Sequence, residues 1–266
     1  MDERIRVSLQ HGVADVRLVR ADKMNALDDA MFEALRRTGE QLKTTPGVRA
    51  VVLSGQGRGF CAGLDTAHFG AMASGGRGGQ RLLQGERTAG GANPPQHAVL
   101  VWRELPVPVI AAVHGVAYGG GFQLMLAADL RLMAADTKLS IMEINWGLVP
   151  DMAGMVLLRQ LVRDDVAREL TYTGRVFDGN EALQLGLATR LCADPHADAL
   201  ALAREIAAKP PKAVRAAKRL LDAAAQADTK ELLLAESREQ AALMGAPEQV
   251  EAVSARLQKR PANFSD

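Results

Sequence analysis

The chain has 266 residues, 48% of them hydrophobic, and a formal net charge of +1. Such a composition suits a globular protein with ample material for a core, and the balanced charge gives no global attraction to nucleic acid or an anionic membrane. The sequence has no uninterrupted apolar run long enough to cross a bilayer, and Cys61 and Cys192 are its only cysteines, which excludes a disulfide framework.

The opening MDERIRVSLQ carries acidic residues and no apolar stretch, so neither a secretory signal nor a transit peptide is expected, and the default location is the cytoplasm. Residues 4–10 and 13–19 alternate apolar and polar positions as paired strands do, with His11-Gly12 as their turn. Leu27, Met31, Ala34 and Leu35 recur at helical spacing, and residues 48–54 read as a buried strand. The stretch 70–91 is rich in glycine and small residues and reads as a mobile surface segment. Residues 107–113 form a second buried strand bracketed by Pro106, Pro108 and Gly115. A glycine triplet, 119–121, precedes a helix to about Ala128, and residues 130–134 and 138–141 are short strands. From about Met152 the pattern is helical, with an acid-capped start at Asp178-Gly179-Asn180-Glu181 and a helix over 197–208 that stops at Lys209-Pro210-Pro211. The predicted class is therefore α/β, with crossovers in the first part and helices in the second.

Two glycine-rich turns follow buried strands: Gly55-Gln56-Gly57-Arg58-Gly59-Phe60-Cys61-Ala62-Gly63-Leu64-Asp65, and the triplet 119–121. The first lacks the glycine spacing of a dinucleotide loop. Together the turns can set bare backbone N–H groups side by side, and a helix opening on the second adds the positive end of its dipole. Such a pair is an oxyanion hole, able to take up the charge of a carbonyl oxygen becoming an enolate.

These loops, with Arg20-Ala21-Asp22-Lys23-Met24-Asn25-Ala26-Leu27, the run 115–121, Glu143 with Gly147-Leu148-Val149-Pro150, and the ending Lys259-Arg260-Pro261-Ala262-Asn263-Phe264, resemble the crotonase superfamily of enoyl-CoA hydratases and isomerases. The resemblance spans essentially the whole chain, in order. It implies a crotonase-like ββα spiral core over residues 1–195, which holds the acyl-CoA site, and a C-terminal helical trimerisation subdomain over 196–266. It also implies a homo-oligomer, trimer or dimer of trimers; RNA binding, known in some relatives, is made weak by the balanced charge, so neither a nucleic-acid nor a membrane partner is expected. Coenzyme A enters as part of the substrate, and neither a separate cofactor nor a metal is expected.

Carried over residue by residue, the resemblance assigns the oxyanion donors to the backbone N–H groups of Leu64 and Gly120. Lys23 and Met24 then lie along the CoA moiety, Asp65 and Ala67 line the same channel, and Lys259 falls near the adenine-phosphate end. Gln240 stands where many relatives carry an aromatic residue against adenine. Hydratases of the superfamily place two glutamates about the C2–C3 region of the thioester. Glu143 matches the second; the first falls on Gln123, and an amide cannot exchange a proton near neutral pH. Asp151, eight positions beyond Glu143, matches an aspartate of the dienoyl-CoA isomerases, although those usually keep an acid at the position of Gln123. The acid pattern is closest to those isomerases. Glu143 and Asp151 are therefore the expected catalytic pair for double-bond migration, with Gln123 positioning the chain or a water.

Each assignment has a plainer counterpart. Glu143 would otherwise be a salt-bridged acid, Asp151 the cap of a helix beginning near Met152, Gln123 part of a buried amide network, and Lys259 an exposed basic tail. Cys61 reads as a small buried thiol, His114 as a packed or hydrogen-bonded histidine, and His11, His68, His97 and His196 have no metal-site spacing. Ser54 lacks the elbow of a hydrolase nucleophile. Leu232, Leu233, Ala235 and Leu243 are available for an internal core or for subunit packing. The alternatives to isomerisation are enoyl-CoA hydration and a non-catalytic acyl-CoA-binding homologue.

Overall fold

The computed structural model describes residues 3–73, 78–225 and 227–265. The chain opens with strands β1 (Ile5–Gln10) and β2 (Val13–Leu18), joined at Gln10↔Val13 by a two-residue turn in which His11 and Gly12 both have positive φ. That turn geometry matches the right-handed twist of the flanking strands. Helix α1 (Asp29–Thr44) starts at Asp28, whose carboxylate accepts the Met31 N–H, and buries Met31, Ala34, Leu35 and Leu42. Strand β3 (Ala50–Gly55) is buried along its whole length, as a parallel strand covered on both faces must be.

Next come α2 (Thr66–Ala73), α3 (Gly78–Gln84) and α4 (Pro94–Arg103), the last opened by a reciprocal Asn93–Gln96 capping box with proline in the first turn. Strands β4 (Val109–Val113) and β5 (Val116–Tyr118) lead through Gly119 into α5 (Gly120–Leu126), followed by β6 (Leu130–Met133) and β7 (Lys138–Ser140). A 3-10 turn over Met142–Trp146 carries the chain to α6 (Gly154–Leu158), α7 (Asp164–Thr173), β8 (Phe177–Asp178), α8 (Gly179–Leu185) and β9 (Arg190–Leu191). Helices α9 (Pro195–Ala207), α10 (Pro211–Ala224), α11 (Thr229–Leu243) and α12 (Pro247–Leu257) complete the fold.

One sheet has the order β1-β2-β3-β4-β6-β9, antiparallel only at β1-β2, and a smaller sheet has the order β5-β7-β8. The main core contains Leu27, Met31, Leu53, Phe60, Trp102 and Phe122. On the other face of the large sheet, Ala199, Ala203 and Ala207 of α9 pack against Val52, Ile110 and Leu132. Small side chains one turn apart let this helix lie close to the strands.

Three details depart from the sequence reading. Residues 177–178 and 190–191 pair as short strands against β7 and β6, although the sequence reading places only helices from about 152; two residues carry no period of their own, and their neighbours supply the pairing. The glycine-rich stretch 70–91 includes the end of α2 and all of α3, while residues 74–77 of that expected mobile segment lie outside the described residues. Two of the three consecutive glycines sit inside α5, which ends at Leu126, earlier than expected.

The loop after β3 is fastened by Asn25, which is fully buried with φ +56°. Its Nδ2 donates to the carbonyls of Gln56 (3.0 Å), Gly59 (2.9 Å) and Phe60 (3.2 Å), and its Oδ1 accepts the Arg20 N–H (3.0 Å). Asn25→Ala would strand these buried groups and put alanine in a left-handed conformation. It is expected to lower the unfolding free energy by about 3 kcal/mol in urea titration at neutral pH. A loss below about 1 kcal/mol would contradict this role.

Candidate active site

The two glycine turns meet. Cys61 N–H donates to the Val116 carbonyl (3.1 Å) and Tyr118 N–H to the Cys61 carbonyl (3.1 Å), so the loop after β3 runs beside β5. At Gly63 the backbone has φ +88°, and a Cβ there would stand 2.6 Å from the Tyr118 carbonyl oxygen and 3.5 Å from the Gly120 nitrogen. A side chain would wedge the turns apart. Leu27 N–H donates to the Gly63 carbonyl and Asp65 N–H to the Leu27 carbonyl, a bridge that turns the intervening Leu64 N–H to the opposite side. Gly120 is the first residue of α5, where an N–H has no partner within the helix. Among the described residues, neither the Leu64 nor the Gly120 amide has an acceptor.

The triplet has a separate cause at each position. Gly119 takes φ +49° and faces the Glu143 carboxyl, with Oε1 3.3 Å from where a Cβ would lie. Gly120 fits between Leu27 and Met152, and Gly121 lies against the Cys61 carbonyl.

Glu143, on the 3-10 turn, is half-buried. Its Oε1 accepts the Gln123 Nε2–H (2.7 Å), while its Oε2 is buried without a partner. Burial pushes its pKa up, and the like charge of Asp151 adds to the rise; the Gln123 hydrogen bond opposes it. Asp151 is exposed at the surface of the chain, yet packing around its carboxyl raises its pKa as well. It does not cap α6: that helix starts at Gly154 after Ala153, with no side-chain cap. Gln123 is 1% exposed, and its Oε1 accepts the N–H groups of Met152 (2.8 Å) and Gly154 (2.9 Å). The protein therefore occupies both lone pairs of its carbonyl and one amide hydrogen. Gln123 ties the acid turn to the turn holding Asp151.

The remaining expected residues are spread more widely. Lys23 is exposed, and Met24 is half-buried with φ +46°, both in the turn that precedes Asn25. Asp65 bonds to the Ala67 N–H (3.0 Å) and pairs with Arg20 (2.6 Å); the amide and the guanidinium hold its carboxyl below the usual range. It braces the loop, and Ala67 is exposed one turn on. Lys259 is exposed beyond α12, where its N–H donates to the Arg256 carbonyl (3.2 Å).

Cys61 donates to the Asn25 carbonyl (3.1 Å), and complete burial pushes its thiol up to about 12, which removes it as a nucleophile near neutral pH. His114 bonds the Gly57 carbonyl (2.9 Å) and helps brace the same loop. Away from this site, Glu40, His97 and Glu104 are the one group among the described residues whose ligand atoms converge, within 4.8 Å of one another. Lys43 already supplies a cation to both carboxylates, at 2.8 and 2.7 Å. Sequence reasoning missed Asn25 and Gly154, whose tasks appear only in three dimensions; the lone buried-type asparagine inside an apolar-flanked turn was the one available signal.

The family model described as enoyl-CoA hydratase/isomerase matches residues 8–266. A Bacillus subtilis (strain 168) protein named "Probable enoyl-CoA hydratase" is 36% identical over 185 residues, covering 70% of this chain and 67% of that one. The peroxisomal Delta(3,5)-Delta(2,4)-dienoyl-CoA isomerase of Arabidopsis thaliana is 29% identical over 267 residues, covering 99% of this chain and 96% of that one. The crystal structure of an enoyl-CoA hydratase from Bacillus anthracis superimposes with a TM-score of 0.89 at 28% identity and covers 99% of both chains.

Because Glu143 holds its proton more tightly when folded than when unfolded, its contribution to stability falls as pH rises from the ordinary glutamate range through the raised folded value. Glu143→Gln removes that titration. The variant is expected to exceed the wild type in urea stability at neutral pH, with the advantage shrinking as pH falls into the ordinary glutamate range. A difference that does not change with pH would contradict the assigned burial.

Proposed function

The chain belongs to the enoyl-CoA hydratase/isomerase family of the crotonase superfamily, and from that premise we propose that it is an acyl-CoA isomerase that moves double bonds in enoyl- or dienoyl-CoA thioesters. The thioester carbonyl sits between the N–H groups of Leu64 and Gly120. Their positive ends, with the start of α5, take up the charge as that oxygen becomes an enolate. One carboxylate of the Glu143/Asp151 pair removes a proton from an acyl carbon, and the C–H electron pair moves through the conjugated carbons to the carbonyl oxygen. The other acid gives a proton to a different carbon of the chain. The electrons return from the oxygen, leaving the double bond displaced, and the acids exchange protonation states.

The carrying observation is the hydrogen bond from Gln123 to Glu143, in the place where a two-glutamate hydration site needs a second carboxylate. Asp151, whose charge acts on Glu143, is the acid left to complete a pair. The raised pKa of both acids supports the reading, since an acid that ionises nearer to neutral pH can both take and return a proton. Lys23, Met24 and Ala67 flank the CoA moiety in this proposal, and Asp65 acts by bracing their loop. Lys259 reaches the nucleotide end, and CoA is part of the substrate with no separate cofactor. Exposed Ile144, Trp146, Leu148 and Val149 beside the acid pair, with Leu233 and Leu234 on α11, fit association of copies, and the proposed assembly is a homotrimer or a pair of trimers.

A second reading, enoyl-CoA hydration with Glu143 acting alone on water, is favoured by the name of the Bacillus subtilis relative. Ultraviolet spectra of the purified protein with crotonyl-CoA and with a 3,5-dienoyl-CoA separate the two. Isomerisation predicts a growing 2,4-dienoyl band, and Glu143→Gln and Asp151→Asn are each expected to slow it by about 10²- to 10⁴-fold. Loss of the enoyl band of crotonyl-CoA without isomerisation would establish hydration instead. CoA-ester binding with no spectral change would indicate a non-catalytic homologue.

A further inference from the structure

We propose that Gln123 is a positioning residue that decides which oxygen of Glu143 exchanges the proton: it keeps Oε1 as an acceptor and leaves Oε2 as the oxygen that gains and loses hydrogen. The inference rests on the reading above, in which Glu143 exchanges a proton with the acyl chain.

The orientation of the amide is fixed by its partners. Met152 N–H and Gly154 N–H can only donate, and both lie within hydrogen-bond distance of one Gln123 atom, which must be the oxygen. The NH₂ end then faces Glu143 and donates to Oε1 at 2.7 Å. A protonated carboxyl keeps its better acceptor in the oxygen without hydrogen, so this donor favours the form with hydrogen on Oε2. Oε2 is buried with no hydrogen-bond partner, so no donor side chain holds it as an acceptor. The carboxyl lies across Gly119, with Oε1 3.3 Å and Oε2 3.8 Å from where a Cβ would be, one residue before the Gly120 amide.

Gly154 belongs to the same device. A Cβ there would meet Gln123 Oε1 at 2.6 Å, so any side chain displaces the amide without touching Glu143 directly. The charged group acting on Glu143 is Asp151. Helix α7 packs on the same 3-10 turn, and its charges are paired elsewhere: Arg168 with Asp164, Glu169 with Arg175, and Asp165 with Arg163. Changes in the titration of Glu143 on altering residue 123 or 154 are thus referred to the amide.

Infrared difference spectra over a pH titration of the substrate-free protein test this directly, with the Glu143 band assigned by its loss in Glu143→Gln. In Gln123→Met the C=O stretch of protonated Glu143 should move to higher frequency, because C=Oε1 loses its donor, and the titration midpoint should move to higher pH, because the carboxylate loses the same bond. Gly154→Ala should shift both in the same directions and keeps the test open should Gln123→Met fail to fold. A stretch equal to wild type in a folded variant would overturn the proposal whatever the midpoint does, since hydrogen on Oε1 leaves the unpartnered C=Oε2 indifferent to residue 123. Under turnover, kcat should fall about tenfold, as for one lost hydrogen bond to a charged group, with KM little changed. A raised KM with unchanged kcat would mean that Gln123 touches substrate and would overturn it too. The infrared result stands whether or not the reaction is isomerisation, so failure of the two readings can be told apart.

Discussion

The architecture of the site depends on one close approach: the backbone of residues 61–64 runs against the backbone of 116–121 with no side chain between them. The bonds Cys61–Val116 and Tyr118–Cys61 set the separation, and a Cβ at Gly63 or Gly121 would land within 2.6 Å of a carbonyl oxygen. Two strands that are distant in sequence are thereby brought to end at one place, and among the described residues the Leu64 and Gly120 amides that follow them have no acceptor. Asn25 and His114 hold the loop from behind, by side-chain bonds to the carbonyls of residues 56, 57, 59 and 60. This is costly backbone to order, and these hydrogen bonds hold it in place.

The second constraint is electrostatic. Glu143 is buried on one oxygen and hydrogen-bonded on the other, and the group that bonds it is an amide also committed to the turn 152–154. Replacing an acid by an amide at residue 123 removes a competitor for the proton while keeping a donor. Asp151 is the acid whose charge acts on Glu143. One buried glutamine thereby links the placement of α5, the acid turn and the start of α6.

Much of this was legible in the sequence. The buried strands and the two glycine turns followed from pattern and spacing, whereas the acids at 143 and 151 were singled out by resemblance alone. The hairpin at His11-Gly12 and the cap at Asp178 are local, and local rules read them well. What escaped was long-range. Nothing in the spacing of Asn25 reveals that it bonds residues more than thirty positions away, and the glycine at 154 looks like any helix-opening residue until Gln123 is set against it. Asp151 followed by Met152 reads as a helix cap, but Ala153 takes φ +67° and delays the helix to Gly154, freeing the carboxylate. Residues 177–178 and 190–191 are too short to show a period, and their strand character comes from β7 and β6 alone.

The central claim is that the Leu64 and Gly120 amides act together on one thioester oxygen. Isotope-edited Raman difference spectroscopy of an unreactive acyl-CoA analogue, labelled at the carbonyl carbon, measures that interaction on the bond itself. The account predicts a carbonyl stretch at clearly lower frequency when bound than when free in water, because two convergent donors polarise it more than solvent does. A bound stretch at or above the free frequency would contradict it.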